Sequence, residues 1–278
     1  MKYDIFIIGL GRIGSGIGSY SRNWNNHLKS ILGRKWINQI FVDDKNKDLK
    51  SQVIESDYRI LDINSYEINN KNNLILIDAT NHEDRLKRVK KLSIKYNCKL
   101  IFCEKPTEQD MCVDYNIYPW NIVKLNYSRS SFKSTKIIRK LIDKKKIKLE
   151  FSFNNGTLNT VPHFLNYVDC LGVKYEKDKV KIKNKNLISI DNIDIKFVKS
   201  KYDLFEIKFN IDDTILEYKS FGRFIKYKNK LWKLSEIDRR FRHIYDKFNS
   251  LNKMPSLKSD KENYNLVKLI KEHIGEGY

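Results

Sequence analysis

One stretch constrains the fold more than any other. Residues 3–8 (Tyr-Asp-Ile-Phe-Ile-Ile) are apolar apart from Asp4 and run straight into Gly9-Leu10-Gly11-Arg12-Ile13-Gly14. A continuous apolar run of this length suits a strand buried on both faces of a parallel sheet. A glycine-rich turn at its end, leading into a helix over Ile13 to Leu32, is the context in which this spacing binds a dinucleotide. Gly9 permits the tight turn. Gly11 lets the backbone approach a pyrophosphate, and Gly14 lets the helix pack closely on the strand. Free N–H groups of the turn, including those of Arg12 and Ile13, and the positive end of the helix dipole then face the phosphates.

Strand and helix alternate over the rest of this half, which argues for a doubly wound parallel sheet. The expected strands are Ile37–Val42, Tyr58–Leu61, Asn73–Asp78, Lys99–Cys103 and Ile122–Tyr127, with an amphipathic helix over His82–Tyr96. Asp43 and Asp44 close the second strand, where a carboxylate accepts hydrogen bonds from adenosine ribose hydroxyls and repels a 2′-phosphate. That favours NAD over NADP. Thr80 and Asn81 follow the fourth strand, and Glu104-Lys105-Pro106 follow the fifth. Side chains at these carboxyl ends face the ligand crevice of such a sheet. A partly desolvated Lys105 has a lowered pKa and can bond or shuttle the proton of a substrate hydroxyl.

The second half reads differently. Helices are expected over Ser134–Lys146 and Asn159–Leu171, with a strand at Lys148–Phe153 between them. Seven short strands then follow between Val180 and Leu234, and a helix over Asn263–Ile274 closes the chain. Alternation in Ile193-Asp-Ile-Lys-Phe197 and Phe205-Glu-Ile-Lys-Phe209 marks an antiparallel sheet with one solvated face. The expected architecture is α/β: a Rossmann domain at 1–127, then an α+β domain at 128–278 with a large, mainly antiparallel open sheet. On the second helix, Asn159, His163 and Asn166 share a face at spacings of four and three.

Composition narrows the partners. The formal net charge is +20, but the lysines are spread along the whole chain without an Arg-rich tract or basic tail. This is read as a solvated basic surface rather than a nucleic-acid interface, with a positive field that would help attract an anionic substrate. The 4 cysteines lack metal-ligand or disulfide-framework spacing, so no metal is expected. The N-terminal apolar run is too short to span a bilayer and lacks a cleavage pattern, so a soluble cytoplasmic protein is the expectation.

Taken together, Gly9–Gly14, "CEKP" at 103–106, "NYSR" at 126–129 and "NNGTLNTVPHFLNYVDCLG" at 154–172 resemble the Gfo/Idh/MocA oxidoreductase family, over most of the chain. "NYSR" and the Asn-rich histidine segment resemble members from surface-polysaccharide and sugar-nucleotide pathways. The resemblance implies a Rossmann domain plus an open-sheet domain that covers the substrate and often forms a homo-oligomer interface. It implies NAD or NADP as cofactor, and hydride transfer to or from a carbon of a sugar or sugar derivative. Lys105 matches the family's EKP lysine and His163 its acid–base histidine. Tyr127, Arg129, Asn159 and Asn166 fall to the substrate, and Glu104 and Lys105 also border the cofactor. Three positions depart from the pattern: Asn159 and Asn166 stand where many members carry Asp, and Val161 where a small residue is usual. Asn orients a hydroxyl but takes no proton. The alternatives are therefore a cofactor-binding protein without sugar dehydrogenase activity, or a reductase of a non-sugar C=O, C=N or C=C bond.

Overall fold

The computed structural model describes residues 2–11, 13–16, 26–66, 73–80, 85–104, 122–143, 145–154, 156–220, 223–234 and 244–275. The chain divides into two compact units. The first comprises Met1–Ser128 with Arg240–Ser259, and the second Arg129–Arg239 with Asp260–Tyr278. The return of residues 240–259 to the first unit has no counterpart in the sequence reading.

The first unit is built on β1 (Tyr3–Ile8), β2 (Ile37–Asp43), β3 (Ile60–Asp62), β4 (Leu74–Asp78), β5 (Leu100–Cys103) and β6 (Val123–Leu125). They form one sheet in the order β3-β2-β1-β4-β5-β6, with every pair parallel. The order reverses direction between β1 and β4, and ligands of such sheets bind at the carboxyl ends flanking that reversal. Alternate residues of β1 feed two cores. Ile5 and Ile7 join Leu28 and Ile31 of α1 (His27–Ile31) and Val53 of α2 (Lys47–Glu55) on one face. Phe6 joins Leu86 and Val89 of α3 (Arg85–Tyr96) on the other. A strand buried on both sides therefore needs the unbroken apolar run that the sequence shows.

Two local expectations change. The glycine turn does not pass directly into a helix at Ile13. Residues 13–15 form a turn, and Gly16 takes a left-handed φ of +75°. Helix α1 starts afresh at His27, where the Asn26 side chain accepts from the Lys29 N–H at 2.8 Å. The His27 and Leu28 N–H groups donate back to the carbonyls of Ile13 (2.9 Å) and Gly14 (2.9 Å), so α1 is still seated on the turn. Helix α2, capped by Asn46, is an addition; its Lys-rich sequence carries a weak apolar stripe. The link from Pro106 to Ile122, read from the sequence as barely long enough for a crossover helix, lies outside the described residues except for Ile122.

The second unit holds α4 (Lys133–Ile142), β7 (Ile147–Phe153), α5 (Thr157–Leu171) and strands β8 (Val180–Asn184), β9 (Leu187–Ile190), β10 (Ile193–Phe197), β11 (Phe205–Ile211), β12 (Thr214–Lys219), β13 (Phe224–Tyr227) and β14 (Lys230–Lys233). Two further helices, α6 (Phe248–Asn252) in the first unit and α7 (Leu257–Ile274), complete the chain. The eight strands run β14-β13-β12-β11-β7-β10-β9-β8. All pairs are antiparallel except β7 with β10. Helix α5 begins two residues earlier than expected, at Thr157, which puts Pro162 in its second turn and removes the backbone bond to the carbonyl four residues before it. Helix α7 likewise starts at Leu257 rather than 263. One face of the sheet is a dry core: Leu149, Phe151 and Phe153 of β7 and Ile207 and Phe209 of β11 meet Phe164, Leu165 and Val168 of α5. Phe151 stacks flat on Phe164 at 4.1 Å. Each such buried ring contributes about 1.5–3 kcal/mol of transfer free energy. The opposite face is polar. Glu150, Lys208, Glu217 and Lys226 lie in one cross-strand row of alternating charge, the pairing that stabilises a solvated sheet face.

Candidate functional site

The glycine turn sits at the end of β1. Its Gly9 N–H donates to the Asp43 carbonyl at 3.0 Å, tying it to the end of β2. Gly9 has φ +87°, and a Cβ there would lie 2.8 Å from the Thr80 backbone nitrogen. A Cβ on Gly14 would lie 1.8 Å from the Gly9 carbonyl oxygen. Only hydrogen fits at either position. A Cβ on Gly11, by contrast, meets nothing within 4 Å among the described residues. Gly11 borders the open space that the sequence reading gives to a pyrophosphate, so the turn fits a dinucleotide. Arg12 lies outside the described residues.

The two acids after β2 have different surroundings. The Asp44 carboxylate accepts from the Leu10 N–H at 2.5 Å and from the Asn46 N–H at 2.8 Å, so it braces the glycine turn from outside. The Asp43 carboxylate, 40% exposed, lies 3.5 Å from Lys50 Nζ, which pairs more closely with Asp62 at 2.8 Å.

At the ends of β4 and β5 the structure reveals two polar networks that sequence reasoning missed. In the first, the fully buried Asp78 accepts from the Thr80 N–H (3.0 Å), Thr80 Oγ1 (2.6 Å) and Arg88 Nε (3.0 Å). Arg85, itself buried, donates to the carbonyls of Thr80 and Glu104. These bonds fix the backbone at the carboxyl ends of two adjacent strands. An aspartate closing an all-apolar strand was the available signal, because a buried carboxylate needs partners. In the second network, Glu104 Oε1 accepts from Asn126 Nδ2 and lies 3.0 Å from His27 Nε2, while His27 Nδ1 lies 2.6 Å from the Tyr245 hydroxyl. His27 is read from the sequence as a structural or surface residue; it is fully buried, edge-on to Phe102 and Tyr245. Burial, reinforced by the Glu104 charge, pushes the Tyr245 phenol well above its ordinary pKa, so it remains an O–H donor. The hydrogen-bond roles that match these two partners have the imidazole accepting from Tyr245 at Nδ1 and donating to Glu104 through Nε2.

Lys105 and Asn81 lie outside the described residues. Tyr127 is 2% exposed and packs in the first unit's core with Val123 and Leu125. In the second unit, half-buried His163 lies on α5, with Asn166 one turn on. Asn166 is buried, and its amide oxygen is enclosed without a hydrogen-bond partner among the described residues. Asn159 belongs to the same helix. Arg129 is half-buried, with its guanidinium over Phe205 at 4.0 Å and Nη2 3.2 Å from Ser220 Oγ. Cys98 and Cys103 are buried, and burial raises the Cys98 thiol to about 12, which makes it inert. No helix among the described residues is long and apolar enough to cross a membrane.

By sequence the chain matches no family model and no curated protein. By structure it aligns along nearly its whole length with solved oxidoreductases. A dehydrogenase from Chromobacterium violaceum superposes with TM-score 0.71 at 12% identity, covering 98% of this chain and 95% of that one. The chain shares the fold of this dehydrogenase. A UDP-N-acetylglucosamine 3-dehydrogenase from Acidithiobacillus ferrooxidans shares this fold with TM-score 0.71 at 9% identity, over 99% of this chain and 98% of its own. A 3-ketoreductase from Actinomadura kijaniata, solved with NADP and TDP-benzene, gives 0.68 at 7% identity, over 98% of each chain. A six-stranded parallel sheet and an eight-stranded, mostly antiparallel sheet are also the two parts that the sequence motifs led one to expect.

Proposed function

We propose that this chain is a Gfo/Idh/MocA-type NAD(P)-dependent oxidoreductase acting on a sugar or sugar derivative, a sugar nucleotide being the favoured class. The observation that carries the reading is the glycine turn at the β1–β4 reversal. Gly9 and Gly14 admit no side chain there, and Gly11 faces open space. The fold likeness to a UDP-N-acetylglucosamine 3-dehydrogenase and to a 3-ketoreductase solved with TDP-benzene supports the substrate class. Gly9, Gly11 and Gly14, with Arg12 and Ile13, would hold the pyrophosphate. Asp43 would read the ribose, with Asp44 bracing the turn, and this acidic edge favours NAD. Thr80, Asn81 and Glu104 would border the rest of the cofactor. When bound, a nicotinamide cofactor donates or accepts the hydride. Lys105 and His163 would handle the proton of the hydroxyl on the same substrate carbon, and Tyr127, Asn159 and Asn166 would orient its neighbours. The reaction would take place in the cytoplasm.

Lys105→Ala and His163→Ala are expected to lower kcat at least about 100-fold, the ordinary worth of a positioned acid or base, while cofactor affinity changes less than about threefold. Steady-state rates with NAD and NADP over a panel of sugars and sugar nucleotides, beside fluorescence titration of NADH, measure both. Unchanged turnover in both variants would remove the assignment. Asn166, an amide where a carboxylate would supply basicity, favours a second reading: a cofactor-binding protein without sugar dehydrogenase activity. Tight NADH binding with silence across the whole panel would establish that one.

Association into a homo-oligomer through the outer face of the eight-stranded sheet is part of the proposal. That face presents the row Glu150, Lys208, Glu217 and Lys226, so contact across it would be electrostatic. Sedimentation equilibrium should show the dissociation constant rising about tenfold or more between 0.05 and 0.5 M NaCl, since salt screens such pairs. Monomers at both salt concentrations would rule this interface out.

A further inference from the structure

The basic character of the chain has one placement that the cofactor site does not use. Arg129 opens the second unit. Its carbonyl is fixed by Thr135 Oγ1 at 2.5 Å and by the Phe132 N–H at 3.2 Å. Its guanidinium lies over the ring of Phe205, a core residue of β11. Nη2 donates to Ser220 Oγ at 3.2 Å, while Nε is enclosed with no hydrogen-bond partner among the described residues. Among the described residues no carboxylate pairs with this cation. Stacking on Phe205 fixes the plane of the fork, and a fixed guanidinium fork matches a planar or tetrahedral anion. An enclosed N–H is costly unless an acceptor meets it. The Ser220 hydroxyl, which accepts from Arg129, can still donate to the same anion.

The position fits a substrate group. Phe205 meets Tyr218 edge-on at 6.4 Å, and Tyr218 packs on Tyr167 at 5.5 Å. Tyr167 lies one turn from His163 on α5. Arg129 and His163 therefore belong to the same, helix-covered face of the sheet within one unit.

We propose that Arg129 and Ser220 form a subsite for an anionic group, a carboxylate or a phosphate, carried by the substrate. The word substrate rests on the oxidoreductase reading; the anion site itself does not. The net charge of +20 supplies a field that raises the local concentration of such a ligand.

The test is binding to the full chain, by calorimetry and saturation-transfer NMR, with and without saturating NADH. The probes are two matched pairs, glucuronate against glucose and UDP against uridine. At least one anion should bind about tenfold or more tightly than its neutral partner. Arg129→Gln should weaken that anion about 30-fold or more, Arg129→Lys about five- to tenfold, and Ser220→Ala about three- to fivefold, leaving both neutral probes unmoved. Discrimination by glucuronate alone assigns a carboxylate, and by UDP alone a phosphate. If Arg129→Gln loses its fold through the lost stack, Arg129→Lys and Ser220→Ala decide. Equal binding of each pair, or undiminished anion binding in these variants, overturns the subsite. NADH binding without anion discrimination removes the subsite and leaves the oxidoreductase reading intact. Arg129-dependent anion binding without any NADH binding does the reverse.

Discussion

Gly14→Ala should destroy the cofactor turn, and Gly11→Val should empty it without destroying it. A methyl group on Gly14 would sit 1.8 Å from the Gly9 carbonyl oxygen, far inside van der Waals contact. Neither partner can yield cheaply. Gly9 is held at φ +87° against Thr80, with its N–H bonded to the Asp43 carbonyl, and the Gly14 carbonyl accepts from the Leu28 N–H. Overpacking of this kind costs roughly 1–3 kcal/mol where side chains can move; against backbone on both sides we expect about 3 kcal/mol or more. Gly11→Val places its bulk where nothing among the described residues lies within 4 Å, so stability should change by less than about 1 kcal/mol, with a modest share from the loss of glycine flexibility. The same bulk would occupy the room that a pyrophosphate needs, and NADH affinity should fall more than about 100-fold. Urea denaturation read beside NADH titration separates the two. If Gly11→Val kept its NADH affinity, the turn would not be the phosphate site.

Most of this was legible in the sequence because its causes are local. An apolar run ending in three spaced glycines constrains its surroundings to a buried strand and a tight turn. Alternation in β10 and β11 likewise identified a sheet with one wet face. What sequence could not show arises from contacts between distant residues. Helix α1 starts at His27, where the Asn26 side chain caps it and the carbonyls of Ile13 and Gly14 receive its first N–H groups. No periodicity records either event. Tyr245 reaches His27 from 218 positions away, and its segment belongs with the first unit only in three dimensions. The parallel pairing of β7 with β10, inside an otherwise antiparallel sheet, is invisible to patterning in the same way.

His27→Ala should be the most damaging single change away from the glycine turn. The imidazole is fully buried and joins the buried Tyr245 hydroxyl to the mostly buried Glu104 carboxylate. Glu104 Oε1 would lose the imidazole while keeping Asn126 Nδ2, and the Tyr245 hydroxyl would face the cavity left by the ring. A cavity beside a carboxylate that has lost a donor should cost about 3–5 kcal/mol. Tyr245→Phe removes only the hydroxyl and should cost about 1–2 kcal/mol. Because both act through one imidazole, the double variant should fall short of the sum by about 1 kcal/mol or more. His27→Gln is the informative control, since its amide can donate to Glu104 and accept from Tyr245. It should recover more than half of the lost stability in urea denaturation. If the network also positions the Glu104–Lys105 step, His27→Gln should regain stability while kcat stays about tenfold low and the KM for NADH is nearly restored, because a planar amide cannot hold the carboxylate in the imidazole's geometry. Full additivity of the two single variants would show that His27 and Tyr245 are merely neighbours.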